Sequence, residues 1–154
     1  MNKVKLIKIL EEQKRNLVEL VEVSSRKQKA IVVNNRLALE ELNHKEEIVL
    51  NKLERKEVER INQILILSNE TGLDIQEVNV KTIKDFYRVL RANSSTEVYE
   101  QIESLRDETK KLITEAGMIN KQNNLLVNQA GSLIKQMVSV LFKSQNKPLL
   151  DRKA

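Results

Sequence analysis

The feature that most constrains this chain is a long opening stretch without glycine or proline. Neither residue occurs between positions 4 and 67, although these are the two residues that most readily interrupt a helix. Alternating steps of three and four residues from Ile7 to Val49 give thirteen positions, and eight of them are apolar. That spacing is typical of one face of an amphipathic helix. The sequence therefore predicts one long helix over about residues 4–67.

The first glycine marks the predicted end of this helix. Gly72 follows a polar run and is well placed as a left-handed C-cap. A short helix of about three turns is then predicted over about residues 80–91, because apolar residues recur there at helical spacing. We expect it to pack on the end of the bundle through Val80, Ile83, Phe86, Tyr87 and Leu90.

A second long helix is predicted over about residues 96–142. Ser94 and Glu97 match a capping box, in which each side chain bonds to the backbone of the other residue. From Val98 to Val140 a heptad seam is apolar at eleven of thirteen positions. A second apolar stripe, one residue after the seam, widens this face to that of a helix in a bundle. The polar residues 143–154 are expected to form a flexible tail.

These elements predict an all-α fold. The expected architecture is a single helical domain over residues 1–154, built as an elongated antiparallel helical hairpin or coiled-coil bundle with a short connector helix. Only 3% of the residues are aromatic, against 40% that are hydrophobic. We therefore expect a core made mainly of aliphatic side chains.

The chain lacks the usual residues of catalytic and metal sites. It has no cysteine, and its one histidine, His44, lies in a strongly charged helical segment. The glutamate pairs at 40–41 and 46–47 lack the Glu-x-x-His spacing of di-metal bundles. No glycine-rich phosphate loop or nucleophile elbow occurs. We expect no enzymatic activity, no cofactor and no metal.

The distribution of charge argues against nucleic acid as a partner. The chain has 27 basic and 22 acidic residues, with a net charge of +5. Residues 1–75, 76–95 and 96–154 carry net charges of +1, +2 and +2, so no part forms a strongly basic arm. The first ten residues lack the apolar run of a secretory signal. The longest aliphatic runs are far too short to span a bilayer, so a cytoplasmic protein is expected.

The last long helix changes in composition near its carboxyl end. No acidic residue occurs between Glu115 and Asp151, and amide side chains replace most of the charged ones. Amides form hydrogen bonds without the desolvation cost of ions, so this segment suits burial against another chain. Two interpretations remain open: the segment binds a partner, or the first helix covers it. The predicted partner-binding residues are Asn120, Asn123, Leu126, Val127, Ala130, Leu133, Ile134, Met137, Val138 and Leu141.

Three segments carry short motifs that follow one another along the chain. Residues 46–60 contain an aliphatic cluster followed by a Glu-x-x-Arg pattern, carried by Leu50, Leu53, Glu57 and Arg60. A break at residues 70–73 is followed by a short helix near residues 82–84. Residues 120–127 contain an Asn-x-x-Asn pattern, Asn120 and Asn123, before an aliphatic cluster. In these motifs and in their order the chain resembles the FlgN-like flagellar export chaperones, which bind hook–filament junction proteins.

The resemblance implies a cytosolic chaperone that is not an enzyme. Such a chaperone binds unassembled hook-associated proteins by their terminal amphipathic segments and delivers them to gate and ATPase components of the type III flagellar export machinery. In the family, the last helix and tail are the cargo-binding part. Many relatives carry a Tyr-Gly element after that helix, whereas here Phe142 is the last aromatic residue and Gly131 the last glycine.

The alternative to a chaperone is a structural coiled-coil protein of a secretion apparatus. Such a protein would self-associate through the seam of the last helix, and a homodimer is compatible with either function. The chaperone predicts a one-to-one complex with cargo, whereas the structural protein predicts a stable oligomer that ignores cargo.

Overall fold

The computed structural model describes residues 2–142, apart from the side chains at positions 130, 131, 133–136 and 138–142. Within these residues all regular structure is helical, so the predicted all-α class is confirmed. The predicted tail, residues 143–154, lies outside the described residues. The elements are α1 (Asn2–Val32), α2 (Arg36–Glu70), α3 (Val80–Ala92) and α4 (Thr96–Phe142).

The prediction of one continuous helix over about residues 4–67 is wrong, because a turn at residues 33–35 divides it into α1 and α2. Asn34 has a φ of 53°, in the left-handed region that asparagine tolerates better than most residues. The Asn35 amide donates to the Ala30 carbonyl at 2.9 Å, and the Asn34 amide donates to the Ile31 carbonyl at 3.1 Å. These are the two hydrogen bonds of a Schellman helix ending.

The same turn also begins α2. The side chain of Asn35 accepts a hydrogen bond from the Ala38 amide at 3.2 Å, which is N-capping by a favoured residue. The two neighbouring asparagines therefore end one helix and start the next without glycine or proline. Because of this turn, the antiparallel hairpin is formed by α1 and α2, and not by the two long helices over about residues 4–67 and 96–142 that the sequence predicts.

Polar contacts show the antiparallel pairing of α1 and α2. The Gln13 amide donates to Glu57 at 2.8 Å, and the ammonium of Lys27 pairs with Glu46 at 3.1 Å. Higher residue numbers in α1 are thus paired with lower residue numbers in α2, so the two helices run antiparallel. Helix α4 packs on another side of α1, so that α1 lies between α2 and α4.

The largest part of the core lies at the end of the bundle where α1 begins. There α3 packs across the ends of the long helices, as the sequence predicts, and the rings of Phe86 and Tyr87 meet edge to face at 5.0 Å. Val80, which the sequence places on the packed face, is instead exposed. This base cluster consists of Leu6, Leu10, Ile64, Leu67, Phe86, Tyr87, Leu90, Ile102 and Leu105.

A smaller cluster lies near the opposite end of the hairpin. Its buried residues are Val23, Ala30 and Leu42, with Ala38 and Leu39 packed against them. Of these two clusters, only the base cluster includes residues of α4. We call residues 32–37, where the chain turns from α1 into α2, the hairpin tip.

Of two helix ends predicted from the sequence, one is confirmed by the structure and the other is not. Gly72 is confirmed as a left-handed ending of α2, with a φ of 77° and a hydrogen bond from the Leu73 amide to the Ser68 carbonyl at 2.9 Å. The predicted cap of α4 is wrong by one residue. Ser95 accepts from the Val98 amide at 3.3 Å, whereas the Ser94 hydroxyl donates to the Leu90 carbonyl of α3.

Substitutions of Asn34 test whether this residue adopts a left-handed backbone, because alanine and glycine should then change the stability differently. Asn34→Ala should lower the free energy of unfolding by about 1 kcal/mol, because alanine resists a left-handed backbone. Asn34→Gly should be close to neutral or stabilising. Chemical denaturation measures both. A continuous helix would give the opposite order, since alanine is the best helix former and glycine one of the poorest.

Candidate functional site

The register between α1 and α4 decides how much of α4 the rest of the chain covers. Lys14 of α1 forms an ion pair with Glu108 of α4. Farther along, the Gln28 amide donates to the side-chain oxygen of Gln122 at 3.0 Å. Residue numbers rise together in the two helices, so α1 and α4 run parallel.

Helix α4 continues well past the end of α1. Since Gln28 lies beside Gln122 and Ser24 beside Asn123, the last residue of α1, Val32, is level with residues 126–131 of α4. From there to its end at Phe142, α4 runs on for roughly 16–24 Å at 1.5 Å per residue. We call residues 128–142 the α4 extension.

Asn123, which the sequence places on the partner surface, lies in the contact between α1 and α4. Its side chain is 4% exposed, and its amide nitrogen donates to the Ser24 carbonyl at 3.0 Å. Its side-chain oxygen is buried and has no hydrogen-bond partner in the described part of the chain. A buried asparagine in a helix seam favours one register over its neighbours, because a shifted helix would leave more polar groups unpaired.

The other predicted partner-binding residues fall on both sides of the point where α1 ends. Asn120 is exposed, Leu126 is half-buried, and the side chains of Val127 and Met137 are 51% and 56% exposed. The remaining predicted residues belong to α4. The structure describes their backbone but not their side chains: Ala130, Leu133, Ile134, Val138 and Leu141.

The apolar seam of α4 continues into the α4 extension. In the preceding part of α4, this seam is covered by α1. Ile102, Leu105, Ala116 and Ile119 are buried. At the same three- and four-residue spacing, the sequence continues with Leu126, Ala130, Leu133, Met137 and Val140. The seam is therefore longer than the helix that covers it.

The hairpin tip is an apolar surface that sequence reasoning missed. Val32, Val33 and Leu37 are 67%, 70% and 77% exposed. The prediction of a continuous helix placed these residues in the middle of a helix rather than at its end. The Asn34-Asn35 pair was the signal, because both residues favour turns and helix caps.

A groove separates α2 from α4 near the base cluster, with a volume of about 510 Å³. Leu10 and Leu17 of α1 are among its apolar lining residues, and Arg106 of α4 is among its charged ones. The guanidinium of Arg106 lies 3.5 Å from the centre of the Tyr87 ring, a cation–π contact. The Tyr87 hydroxyl is buried without a hydrogen-bond partner in the described residues.

An ion pair crosses one turn of α2 in this groove. Arg60 donates to the two carboxylate oxygens of Glu57 at 2.6 and 2.9 Å, and Gln13 of α1 bonds to the same carboxylate. Mainly because of the hydrogen bonds from Arg60, the pKa of Glu57 is lowered from its ordinary value. Burial raises the pKa of Tyr87. The groove therefore holds an ion pair within α2, and the hydrogen bond from Gln13 to its carboxylate ties α2 to α1.

The described residues offer no cluster suited to metal binding, since no group of three or more histidine, cysteine, aspartate or glutamate side chains comes together in them. His44 is exposed. Among residues 2–142, every helix is too short or too polar to cross a membrane.

Comparison with known proteins identifies a family that covers nearly the whole chain. The family model described as FlgN protein matches residues 1–150. No significant match links the chain to a curated protein or to a solved structure.

The lowered pKa of Glu57 predicts how stability depends on pH. Below its folded-state pKa, Glu57 is protonated and its pairing with Arg60 is lost, so this contribution is present above pH 4.5 and disappears as the pH falls further. Glu57→Gln should lower the free energy of unfolding at neutral pH. The difference in this free energy between the variant and the parent should shrink below pH 4.5. Urea denaturation of both proteins from pH 7 to pH 3 measures this difference.

Glu54→Gln is the matched control, because Glu54 is an exposed carboxylate of the same helix and groove. It should change stability little at any pH. An effect of Glu57→Gln that stayed constant from pH 7 to pH 3 would contradict the assignment of this ion pair.

Proposed function

The chain belongs to the FlgN family of flagellar export chaperones, and on this premise we propose that it binds unassembled hook–filament junction proteins through the carboxyl-terminal part of α4 and delivers them to the export machinery. We place this activity in the cytoplasm, where flagellar proteins wait before export. The proposed cargo surface comprises Asn120, Leu126 and Val127 together with the apolar seam of the α4 extension.

The observation that supports this cargo surface is the length of α4 relative to α1. Up to residues 126–131, α1 lies beside α4, and after that α1 has ended. The apolar pattern of α4 does not end there but continues to Val140. A cargo helix with an apolar face would complete the seam, which is the helix-in-groove mode of recognition.

The gain from covering this surface is large enough to support a specific complex. Burying one leucine, isoleucine, valine or methionine side chain contributes about 1.5–3 kcal/mol. Several such residues occur in the α4 extension. Part of their contribution offsets the entropy that the cargo segment loses on ordering. The affinity is thereby kept low enough for the cargo to be released at the export apparatus.

The polar residues of the same region favour a reversible complex. Amides predominate from Asn120 onward, and no acidic residue occurs before Asp151. Amide groups exchange hydrogen bonds with water for hydrogen bonds with a partner at little cost. The surface can therefore be covered and uncovered without desolvating many ions.

Delivery requires contact with the export gate or its ATPase. The Tyr-Gly element of many relatives is missing after α4 in this chain. We therefore assign docking on the export apparatus to the cargo-bound complex and to no particular residue of the tail.

The cargo surface is tested by shortening α4 where α1 ends. A chain that stops after Asn128 keeps the buried residues Ala116, Ile119 and Asn123, so it should remain helical while losing cargo binding. The double variant Leu133→Ser and Met137→Ser should raise the Kd for a junction protein at least roughly tenfold, since each substitution removes apolar area from the interface. Calorimetric titration of the full chain measures it.

Met118→Ser provides the matched control. Met118 is 55% exposed, much like Met137, but it lies where α1 runs alongside α4. It should leave the Kd unchanged. Full affinity in both the shortened chain and the double variant, with helicity retained, would contradict the proposal. A stable oligomer that ignores junction proteins would instead support the structural coiled-coil alternative.

A further inference from the structure

We propose that the hairpin tip is the second half of the cargo site, where the end of the bound cargo helix packs against Val32, Val33 and Leu37. This inference rests on the proposed function and goes beyond it, because it assigns a binding role to the turn between α1 and α2. It also predicts the path of the cargo: its helix takes the place along α4 that α1 leaves vacant beyond the tip.

The first argument is the continuity of the seam. Near the end of α1, the buried residues Ala116 and Ile119 belong to the part of α4 that runs beside α1. The same stripe continues past Val32 in the sequence of the α4 extension. A helix that packs on this stripe by the same ridges and grooves is in line with α1. Its near end must then meet the hairpin tip.

The second argument is the exposure of the tip itself. Leu37, Val33 and Val32 are among the five most exposed large apolar side chains of the described residues, at 77%, 70% and 67%. Solitary exposed apolar residues are ordinary on protein surfaces, whereas three of them lie within six positions of this turn. The turn is level with the point where α1 ends beside α4.

The third argument is charge, which indicates the chemistry of the occupant. Lys29 and Arg36 are exposed at the tip, and neither forms an ion pair within the described part of the chain. The exposed carboxylates Glu40 and Glu41 lie on the next turn of α2, farther from the end of α1. The α4 extension carries Lys135 and no acidic residue. The occupant that fits is a cargo helix with an aliphatic stripe and carboxylates near the end that meets the tip.

The test is a double substitution at the tip, Val33→Ser and Leu37→Ser, in the full chain. Both side chains are exposed, so the fold should be retained, which circular dichroism and thermal melting check. Synthetic peptides from the two termini of the junction proteins serve as probes in calorimetric titrations. We expect the Kd of the binding peptide to rise about tenfold or more.

Val4→Ser with Val80→Ser is the matched control. These residues are 68% and 74% exposed, as the tip residues are, but they lie at the opposite end of the bundle. The control should leave the Kd unchanged. Arg36→Glu should also weaken binding, and the loss should shrink as salt is added, because salt screens exposed charges.

Two results would overturn the inference, and they differ from failure of the proposed function. If the tip variant binds with the parent Kd while Leu133→Ser with Met137→Ser does not, the tip is no part of the site and the cargo surface on α4 stands. If light scattering shows that the tip variant abolishes a dimer and leaves cargo binding intact, a second copy of the chain is the occupant. If neither variant changes binding, the proposed function itself fails.

Discussion

The contact between α1 and α4 is the interaction on which the rest of this structure depends. A parallel register is set by polar contacts along the two helices, from the ion pair of Lys14 with Glu108 to the hydrogen bond of Asn123 with Ser24. Asn123 is the most specific of these residues, because its amide is buried and a shifted register would break the side-chain hydrogen bond to Ser24. This register places the end of α1 beside residues 126–131, so the contact determines how much of α4 is covered by α1 and how much extends beyond it.

The turn at Asn34 and Asn35 determines where α1 ends, and therefore how much of α4 extends beyond it. If the first helix ran on without interruption, it would cover the whole apolar seam of α4. By ending α1 at Val32, the turn sends the chain back along α2 and leaves the last turns of α4 beyond the hairpin. The base cluster, which holds α1, α2, α3 and α4 together, lies at the far end. Substitutions at the tip and in the extension can therefore be made without disturbing the main core.

Much of this fold follows from the sequence by simple physical rules. Periodicity predicts helices where α3 and α4 lie, and the left-handed preference of glycine predicts the end of α2 at Gly72. Periodicity does not predict the break after Val32, because Asn34 occupies the left-handed position where glycine is the usual residue. Seam spacing also predicts that the carboxyl-terminal part of α4 is apolar. It does not predict which part α1 covers, because that depends on a long-range register set by pairs such as Gln28 with Gln122. For the same reason, Asn123 was placed on the partner surface and the hairpin tip was not recognised.

The central claim is that the seam of α4 beyond α1 is completed by cargo. Hydrogen–deuterium exchange of the full chain, free and bound to a junction protein, tests it most directly. Binding should slow amide exchange in residues 128–142 and at the hairpin tip, and should change exchange little in the base cluster. Slowing confined to the groove between α2 and α4, with the extension and the tip unaffected, would contradict this claim.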